Sequence, residues 1–120
     1  MKTILTVDDS ATARQMTGLV LRGAGYEVIE AVDGKDALAK VPGRELNLVL
    51  TDLNMPNMDG LELTRRLRAM DECKFVPIVL LTTESQAEKK QEGKVAGASG
   101  WIVKPFNPEQ LLAVVKKVMR

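Results

Sequence analysis

The sequence predicts a doubly wound α/β fold, in which five parallel strands alternate with five helices, and three observations favour it. Short apolar runs alternate with longer segments whose apolar residues recur at helical spacing, as in βαβ units. The run 77–81 is almost uninterruptedly apolar, which is typical of a strand covered by helices on both faces. Turn-forming residues separate the segments. The predicted strands lie near residues 3–8, 26–31, 46–51, 76–82 and 100–103.

The first two helices have clear start and stop signals. The first is expected to begin directly after the first strand, with Ser10 as its N-cap and Gly25 as its stop. The second is expected over about residues 34–41, between the turn formers Asp33 and Pro42. Both predicted helices therefore begin where a strand has just ended.

The remaining three helices differ in character. A loop of turn formers, residues 54–60, precedes the third helix, whose apolar positions start at Leu61. The fourth, predicted over 84–94, is so polar that most of it is expected to face water. The last begins near Pro108, because proline is favourable at a first helical position, and it ends in basic residues.

Length and composition restrict the class of protein. We expect one domain covering residues 1–120, since this length suits a single core. Hydrophobic residues make up 45% and charged residues 28%, which is ordinary for a soluble globular protein. The 17 basic residues nearly balance 16 acidic ones, so we expect neither nucleic acid nor a membrane as a partner. A partner must then recognise a specific face.

Cysteine and histidine usage excludes several kinds of chemistry. The single cysteine, Cys73, cannot form an intramolecular disulfide and fits a reducing compartment. Asp8 comes too early for a signal peptide, and no apolar stretch approaches the ~18 residues of a membrane span, so we expect a cytoplasmic protein. The lack of histidine excludes Ser-His-Asp and Cys-His nucleophiles and, with one cysteine, the usual structural zinc sites.

Three carboxylates follow two of the predicted strands. Asp8 and Asp9 close the first apolar run, and Asp52 closes the third. If these strands are parallel neighbours, all three carboxylates emerge at the same edge of the sheet. At ~4 Å and an effective dielectric near 20, each like-charged pair costs on the order of 4 kcal/mol. The cluster therefore requires protons or a cation, and a hard divalent ion is the natural candidate.

Two further side chains join this edge if the strand order is 2-1-3-4-5. The fourth strand then contributes Thr82 and the fifth contributes Lys104. Phosphoryl transfer needs a nucleophilic oxygen, Mg²⁺ and fixed donors for the phosphoryl oxygens. Asp52, Asp9, Thr82 and Lys104 together provide the nucleophile, ligands for the ion and the donors. Each residue also has an ordinary interpretation: Asp8 and Asp9 as helix caps, Thr82 as a strand-end hydroxyl, Lys104 as a solvated lysine. The prediction rests on their joint occurrence.

Four motifs stand in order along the chain: Val7-Asp8-Asp9-Ser10, Thr51-Asp52-Leu53-Asn54-Met55-Pro56-Asn57-Met58-Asp59-Gly60, Leu81-Thr82 and Val103-Lys104-Pro105-Phe106. In this combination the sequence resembles the receiver domains of two-component response regulators, and among them the single-domain CheY-like chemotaxis regulators. The resemblance covers essentially the whole chain. It implies a (βα)5 flavodoxin-like fold with a sheet in the order 2-1-3-4-5.

The resemblance assigns unequal roles to the acidic residues. It implies that Asp52 accepts a phosphoryl group from a phosphohistidine of a sensor kinase. The Asp9 and Asp52 side chains and the Asn54 carbonyl would bind Mg²⁺, with Asp8 acting through a water molecule and other waters completing the octahedron. The histidine that this chain lacks would then be supplied by its partner.

The resemblance also implies a switch. Lys104 and Thr82 would contact the phosphoryl group, and the Lys104–Pro105 peptide bond would be cis. Movement of Thr82 would let Trp101, which stands where tyrosine is common, rotate inward and remodel the face made by helix 4, strand 5 and helix 5. Asn54 and Glu84 occupy the two variable positions that tune the lifetime of the acyl phosphate.

The predicted function is that of a monomeric, Mg²⁺-dependent phosphoacceptor that catalyses only its own phosphorylation and dephosphorylation. The expected partners are a CheA-like histidine kinase, a flagellar motor switch protein or another regulator and, as a further candidate, a phosphatase. One alternative is a phosphate sink or phosphorelay shuttle without direct output. Another is a metal-dependent phosphatase, which is disfavoured because Asn54 stands where a second catalytic acid would follow Asp52.

Overall fold

A computed structural model, which describes residues 1–83 and 89–119, shows five strands and five helices in alternation. The strands form one parallel sheet in the order β2-β1-β3-β4-β5, which confirms the predicted fold class and strand order. The elements are β1 (Thr3–Val7), α1 (Ala11–Gly23), β2 (Glu27–Ala31), α2 (Gly34–Lys40), β3 (Leu48–Asp52), α3 (Gly60–Arg68), β4 (Ile78–Thr83), α4 (Lys90–Ala96), β5 (Gly100–Lys104) and α5 (Pro108–Val118).

The core lies on both faces of the central strands. Successive side chains of β3 point to opposite faces, so that Leu48 and Leu50 join one cluster with Leu111 of α5. Val49 joins the other cluster with Leu63 of α3. Each of these side chains is almost inaccessible to solvent, and burying one contributes about 2 kcal/mol relative to leaving it exposed. The apolar runs therefore form a sheet that is covered on both sides.

Four helices begin at a polar N-cap whose side chain accepts the backbone N–H three residues further on. The N-caps are Ser10, Asp33, Asp59 and Asn107. The predicted cap at Ser10 and the predicted start of the last helix at Pro108 are both confirmed. These caps end the loops that follow the strands, so they fix the chain close to the carboxyl edge of the sheet.

The carboxyl end of α4 differs from the prediction, and one short turn was missed. The described part of α4 continues to Ala96 rather than ending at residue 94, because Gly97 adopts a left-handed conformation (φ 109°) and caps it there. The predicted start of this helix falls at 84–88, outside the described residues. A 3-10 turn at Asp71–Cys73, before β4, was not predicted. Among the described residues, no helix is long and apolar enough to cross a membrane.

Arg68 fastens the amino ends of β4 and β5 to α3. Its guanidinium donates to the carbonyls of Cys73 (2.7 Å), Val76 (2.6 Å) and Gly97 (2.8 Å). Cys73 is fully buried beside these contacts, and burial raises the pKa of its thiol. This end of the sheet is therefore held by apolar packing and by hydrogen bonds to a single cation.

Gly60 brings the start of α3 against the end of β3. Its N–H donates to the Leu53 carbonyl at 2.8 Å. A Cβ atom at this position would lie 2.6 Å from the Asp52 carbonyl oxygen and 3.0 Å from the Leu53 Cα. Because both atoms belong to the backbone, a larger residue cannot fit without moving the end of the strand. The loop between β3 and α3 is thus closed tightly under the acidic edge.

Candidate functional site

The parallel pairing of β1 with β3 brings the three predicted carboxylates together. Val7 lies opposite Thr51, so Asp8 and Asp52 leave the sheet side by side. Asp8, Asp9 and Asp52 each offer a carboxylate oxygen, and these oxygens lie within 4.8 Å of one another. Asp8 is only 3% exposed and Asp52 only 9%, whereas Asp9 is exposed. The cluster is therefore partly buried, which strengthens the repulsion between its charges.

Lys104, the last residue of β5, reaches across to this cluster. Its Nζ lies 2.8 Å from Oδ1 of Asp52 and 3.8 Å from Oδ2 of Asp8. The Lys104–Pro105 peptide bond is cis, as the sequence resemblance implied. One ammonium faces three carboxylates, so the site keeps a net negative charge. This net negative charge would attract a further cation.

The charged form of Asp52 is costly in this environment. Burial raises the pKa of the Asp52 carboxyl above its ordinary value, and the negative charges of Asp8 and Asp9 act in the same direction. The hydrogen bond and the charge of Lys104 oppose this rise without cancelling it. A cation bound between the carboxylates would lower the pKa and keep the nucleophilic oxygen ionised at neutral pH.

The donor set fits a hard divalent ion. All three clustered donors are carboxylate oxygens, the ligand type that Mg²⁺ and Ca²⁺ prefer. Asn54 lies exposed at the start of the loop between β3 and α3, two residues beyond Asp52. Its expected role as a backbone ligand remains a prediction. Three oxygens leave room for the waters that Mg²⁺ usually retains.

Thr82 and Trp101 share one face of neighbouring strands. Thr82 of β4 lies opposite Val103, and Leu80 lies opposite Trp101, so all four side chains point towards α3 and α4. Thr82 is 3% exposed, and the partly buried indole packs with Leu80. Glu84, the predicted tuning position, lies outside the described residues. The two predicted switch residues therefore stand on the same side of the sheet, on neighbouring strands and two residues apart along the strand direction.

The contact between Trp101 and α4 escaped the sequence analysis. A Cβ atom at Gly93 would lie 2.7 Å from Cζ3 of the indole, so only glycine leaves room for the ring in this position. The Nζ of Lys90 lies 5.6 Å from the ring centroid, within the range of a cation–π interaction. A glycine inside a helix was the available signal, because it lowers helix stability unless packing requires it.

A mostly apolar cavity of about 540 Å³ opens beside the acidic cluster. It runs between α1 and α5, with Asp8 and Lys104 at one end and Met16, Val20 and Phe106 among its walls. No local pattern in the sequence predicts this cavity, because its walls come from segments that are far apart along the chain. The site is thus bordered by apolar surface on the side of α1 and α5.

The comparisons with known proteins agree with this geometry. Residues 4–116 match the family described as the response regulator receiver domain. The chain is 40% identical over 119 residues to the phosphate regulon transcriptional regulatory protein PhoB of Pseudomonas aeruginosa, covering 99% of this chain and 52% of PhoB. It is 38% identical over 116 residues to the chemotaxis protein CheY-3 of Vibrio cholerae, covering 96% of this chain and 89% of CheY-3.

Solved structures show the same likeness. The chemotaxis response regulator CheY4 of Vibrio cholerae superposes with a TM-score of 0.93 at 50% sequence identity, and the match covers 98% of each chain. The chain spans only about half the length of PhoB, so it corresponds to one part of that relative. Because the family match covers residues 4–116, this chain belongs to the receiver domain family of two-component response regulators.

Proposed function

We propose that this chain accepts a phosphoryl group on Asp52 from the phosphohistidine of a histidine kinase. Receiver domains take phosphate from such kinases, and the chain belongs to that family. The observation that carries the assignment is the environment of Asp52, which lies 2.8 Å from Lys104 and in one cluster with Asp8 and Asp9. An Asp52 oxygen attacks phosphorus, the P–N bond to the histidine breaks, and an acyl phosphate forms as the imidazole leaves.

The surrounding residues divide the remaining work. Asp9, Asp52 and the Asn54 carbonyl would hold Mg²⁺, and Asp8 would act through a water molecule. When bound, Mg²⁺ neutralises charge that develops on the phosphoryl oxygens. Lys104 fixes one oxygen of Asp52 before transfer and binds the phosphoryl group after it. On this proposal the chain promotes its own phosphorylation and dephosphorylation and acts on no external substrate.

The same proposal includes a switch on the α4 side of the sheet. The Thr82 hydroxyl moves to the phosphoryl oxygens, and Trp101 rotates into the space that this movement releases. Asn54 and Glu84 set how fast water reaches the acyl phosphate. The shared face of Thr82 and Trp101, and the tight fit of the indole against Gly93, support this coupling. A moved indole displaces α4, so the face formed by α4, β5 and α5 changes.

The proposed output is chemotaxis signalling to the flagellar motor in the cytoplasm, with a CheA-like kinase as the donor and a phosphatase as a further partner. The names of CheY-3 and CheY4, which this chain covers almost completely, support this choice. A matched affinity measurement tests it: a motor switch protein is expected to bind the phosphorylated chain more tightly than the unphosphorylated chain. Equal binding, together with rapid drain of phosphate from the kinase, would instead identify a phosphate sink or shuttle.

Incubation with acetyl phosphate and Mg²⁺ tests the acceptor. Intact-protein mass is expected to rise by one phosphoryl group in the wild type and not in Asp52→Asn. Asp59→Asn is the matched control, since asparagine still caps α3 and its side chain accepts the Glu62 N–H. Phosphorylation of Asp52→Asn at the wild-type rate would overturn the assignment. Fluorescence of Trp101, the single tryptophan, is expected to change only when the mass does.

A further inference from the structure

A basic stripe on α1 faces the edge strand β2. Arg14, Gly18 and Arg22 are spaced four residues apart, so they lie on one side of the helix. Glu30 of β2 meets both cations, with Nε of Arg14 at 3.3 Å and Nη1 of Arg22 at 3.1 Å. A Cβ atom at Gly18 would lie 3.3 Å from Oε2 of Glu30, so the glycine leaves room for the carboxylate between helix and strand.

The position of Arg14 is unfavourable by ordinary helix rules. It lies in the first turn of α1, where the helix dipole disfavours a cation, and its side chain is only 12% exposed. Its Nε is buried and, within the described part of the chain, has no hydrogen-bond partner, so the contact with Glu30 is an ion pair without hydrogen-bond geometry. Burying a guanidinium in this way costs free energy of desolvation. Another contact of Arg14 must therefore compensate for that cost.

The compensating contact is with the loop between β1 and α1, which carries Asp8 and Asp9 and is called the acidic loop here. Nη1 of Arg14 donates to the backbone carbonyl of Asp8 at 2.8 Å. The Asp8 N–H donates to the Ala31 carbonyl at 3.2 Å, and the Asp8 carboxylate accepts the Ser10 N–H at 2.9 Å. The Asp8–Asp9 peptide is thus fixed on the Asp8 side by β2 and by α1. Asp9 is exposed, and the direction of this peptide sets where its carboxylate stands.

We infer that Arg14, held by Glu30, is a positioning residue that orients the Asp8–Asp9 peptide and so preforms the cation site. The inference deepens the proposed function and rests on it. Arg14 touches neither the phosphoryl group nor the ion and acts through the backbone of Asp8. Its own positive charge opposes cation binding, and the ion pair with Glu30 offsets that repulsion.

Arg14→Lys tests the inference because it keeps the charge. Lysine carries its charge on one nitrogen, so it cannot place separate nitrogens beside the Asp8 carbonyl and beside Glu30, as Arg14 does with Nη1 and Nε. We expect its Kd for Mg²⁺, measured by titrating backbone amide NMR signals, to rise about tenfold, the lower end of the usual cost of losing an outer-shell partner. Glu30→Gln, which leaves Arg14 buried without its counter-ion, is expected to raise the Kd by a similar factor.

Arg22→Lys is the matched control. Arg22 also forms an ion pair with Glu30, but its side chain is 49% exposed and its hydrogen bond goes to the Val28 carbonyl, away from the acidic loop. Its Kd for Mg²⁺ is expected to stay within about twofold of the wild type, as for an exposed ion pair.

The outcomes separate the inference from the proposed function. If the wild type does not bind Mg²⁺ at the acidic cluster, the proposed function fails. If the wild type binds and Arg14→Lys binds equally well, the positioning role is overturned while the site stands. A lower thermal midpoint of unfolding for Arg14→Lys with an unchanged Kd would also overturn it, since the contact would then serve stability alone. A rise in Kd that persists in 0.5 M KCl supports positioning, because salt screens a purely electrostatic effect.

Discussion

The middle of β3 stabilises the fold, whereas its carboxyl end, only a few residues away, destabilises it. Leu48 and Leu50 are completely buried, and their transfer out of water stabilises the fold. Asp52, on the same strand, is 9% exposed beside Asp8 at 3%, and the burial of these charges destabilises it. Lys104 compensates only in part, since the pKa of Asp52 stays raised. The comparison shows that the strand is optimised for stability up to the point where its side chains reach the site.

Gly60 of α3 packs against the carboxyl end of β3, so Gly60→Ala is expected to have the largest effect. The added methyl group would press on the backbone of Asp52 and Leu53. We expect a loss of about 3 kcal/mol in the free energy of unfolding, the upper end of overpacking costs, together with slower phosphorylation. Urea denaturation and mass spectrometry measure the two effects.

Gly23→Ala is the control for that substitution. Gly23 ends α1, and a Cβ atom there would meet nothing within 4 Å. It is expected to be neutral or to stabilise by up to about 1 kcal/mol, the difference in helix propensity between the two residues. Equal stability of Gly60→Ala and the wild type would mean that the carboxyl end of β3 is not rigid.

The second prediction concerns the free energy that the clustered carboxylates at the carboxyl end of β3 cost the fold. Mg²⁺ at ten times its Kd is expected to raise the free energy of unfolding by about 1.4 kcal/mol through mass action. The gain should disappear in Asp9→Asn and persist in Asp71→Asn, because Asp71 lies in the 3-10 turn before β4, at the other end of the sheet. Thermal unfolding with and without MgCl2 measures it. An undiminished gain in Asp9→Asn would remove Asp9 from the cation site.

The third and smallest effect is that of Asp52→Asn on stability without metal. Since burial raises the pKa of Asp52, its charged form destabilises the fold, and a neutral amide is expected to raise the free energy of unfolding at pH 7 by less than bound Mg²⁺ does. Below the pKa of the unfolded chain both states carry a neutral carboxyl, so the advantage of asparagine vanishes there. The advantage should grow as pH rises through the folded pKa.

Urea denaturation in EDTA at a series of pH values measures this difference. Lower stability of Asp52→Asn at pH 7 would show that the ion pair with Lys104 outweighs desolvation and the repulsion from Asp8 and Asp9. The contrast between the middle of β3 and its carboxyl end would then fail, because both regions would be stabilising.

The sequence was sufficient for the sheet and for the clustering of acids. Apolar runs are local signals, and the parallel alternation of strands and helices limits the possible orders, so Asp8 and Asp52 could be expected at one edge before any contact was known. The same logic placed Lys104 at the end of β5. The metal, phosphoryl and switch roles of these residues remain predictions that rest on the family.

Contacts between distant segments were beyond that reasoning. The pairing of Arg14 with Glu30, and the fit of Trp101 against Gly93, depend on how helices lie on the sheet, which no local pattern specifies. The predicted carboxyl end of α4, residue 94, was wrong because the polar sequence of this helix lacks a periodic apolar stripe. Only Gly97 marks where the helix ends. An arginine in the first turn of a helix was a weak signal of a tertiary contact, since the dipole disfavours it there.

The buried thiol of Cys73 can report how often the folded molecule opens. It is the single cysteine of the sequence, it is inaccessible in the folded state, and burial raises the pKa of its thiol. The thiolate is the form of cysteine that attacks alkylating reagents, so the buried thiol of the folded chain is expected to resist labelling. Labelling then proceeds only through molecules in which the packing around α3 has opened, and its rate counts those openings. The native sequence thus carries its own probe of conformational opening, with no engineered label required.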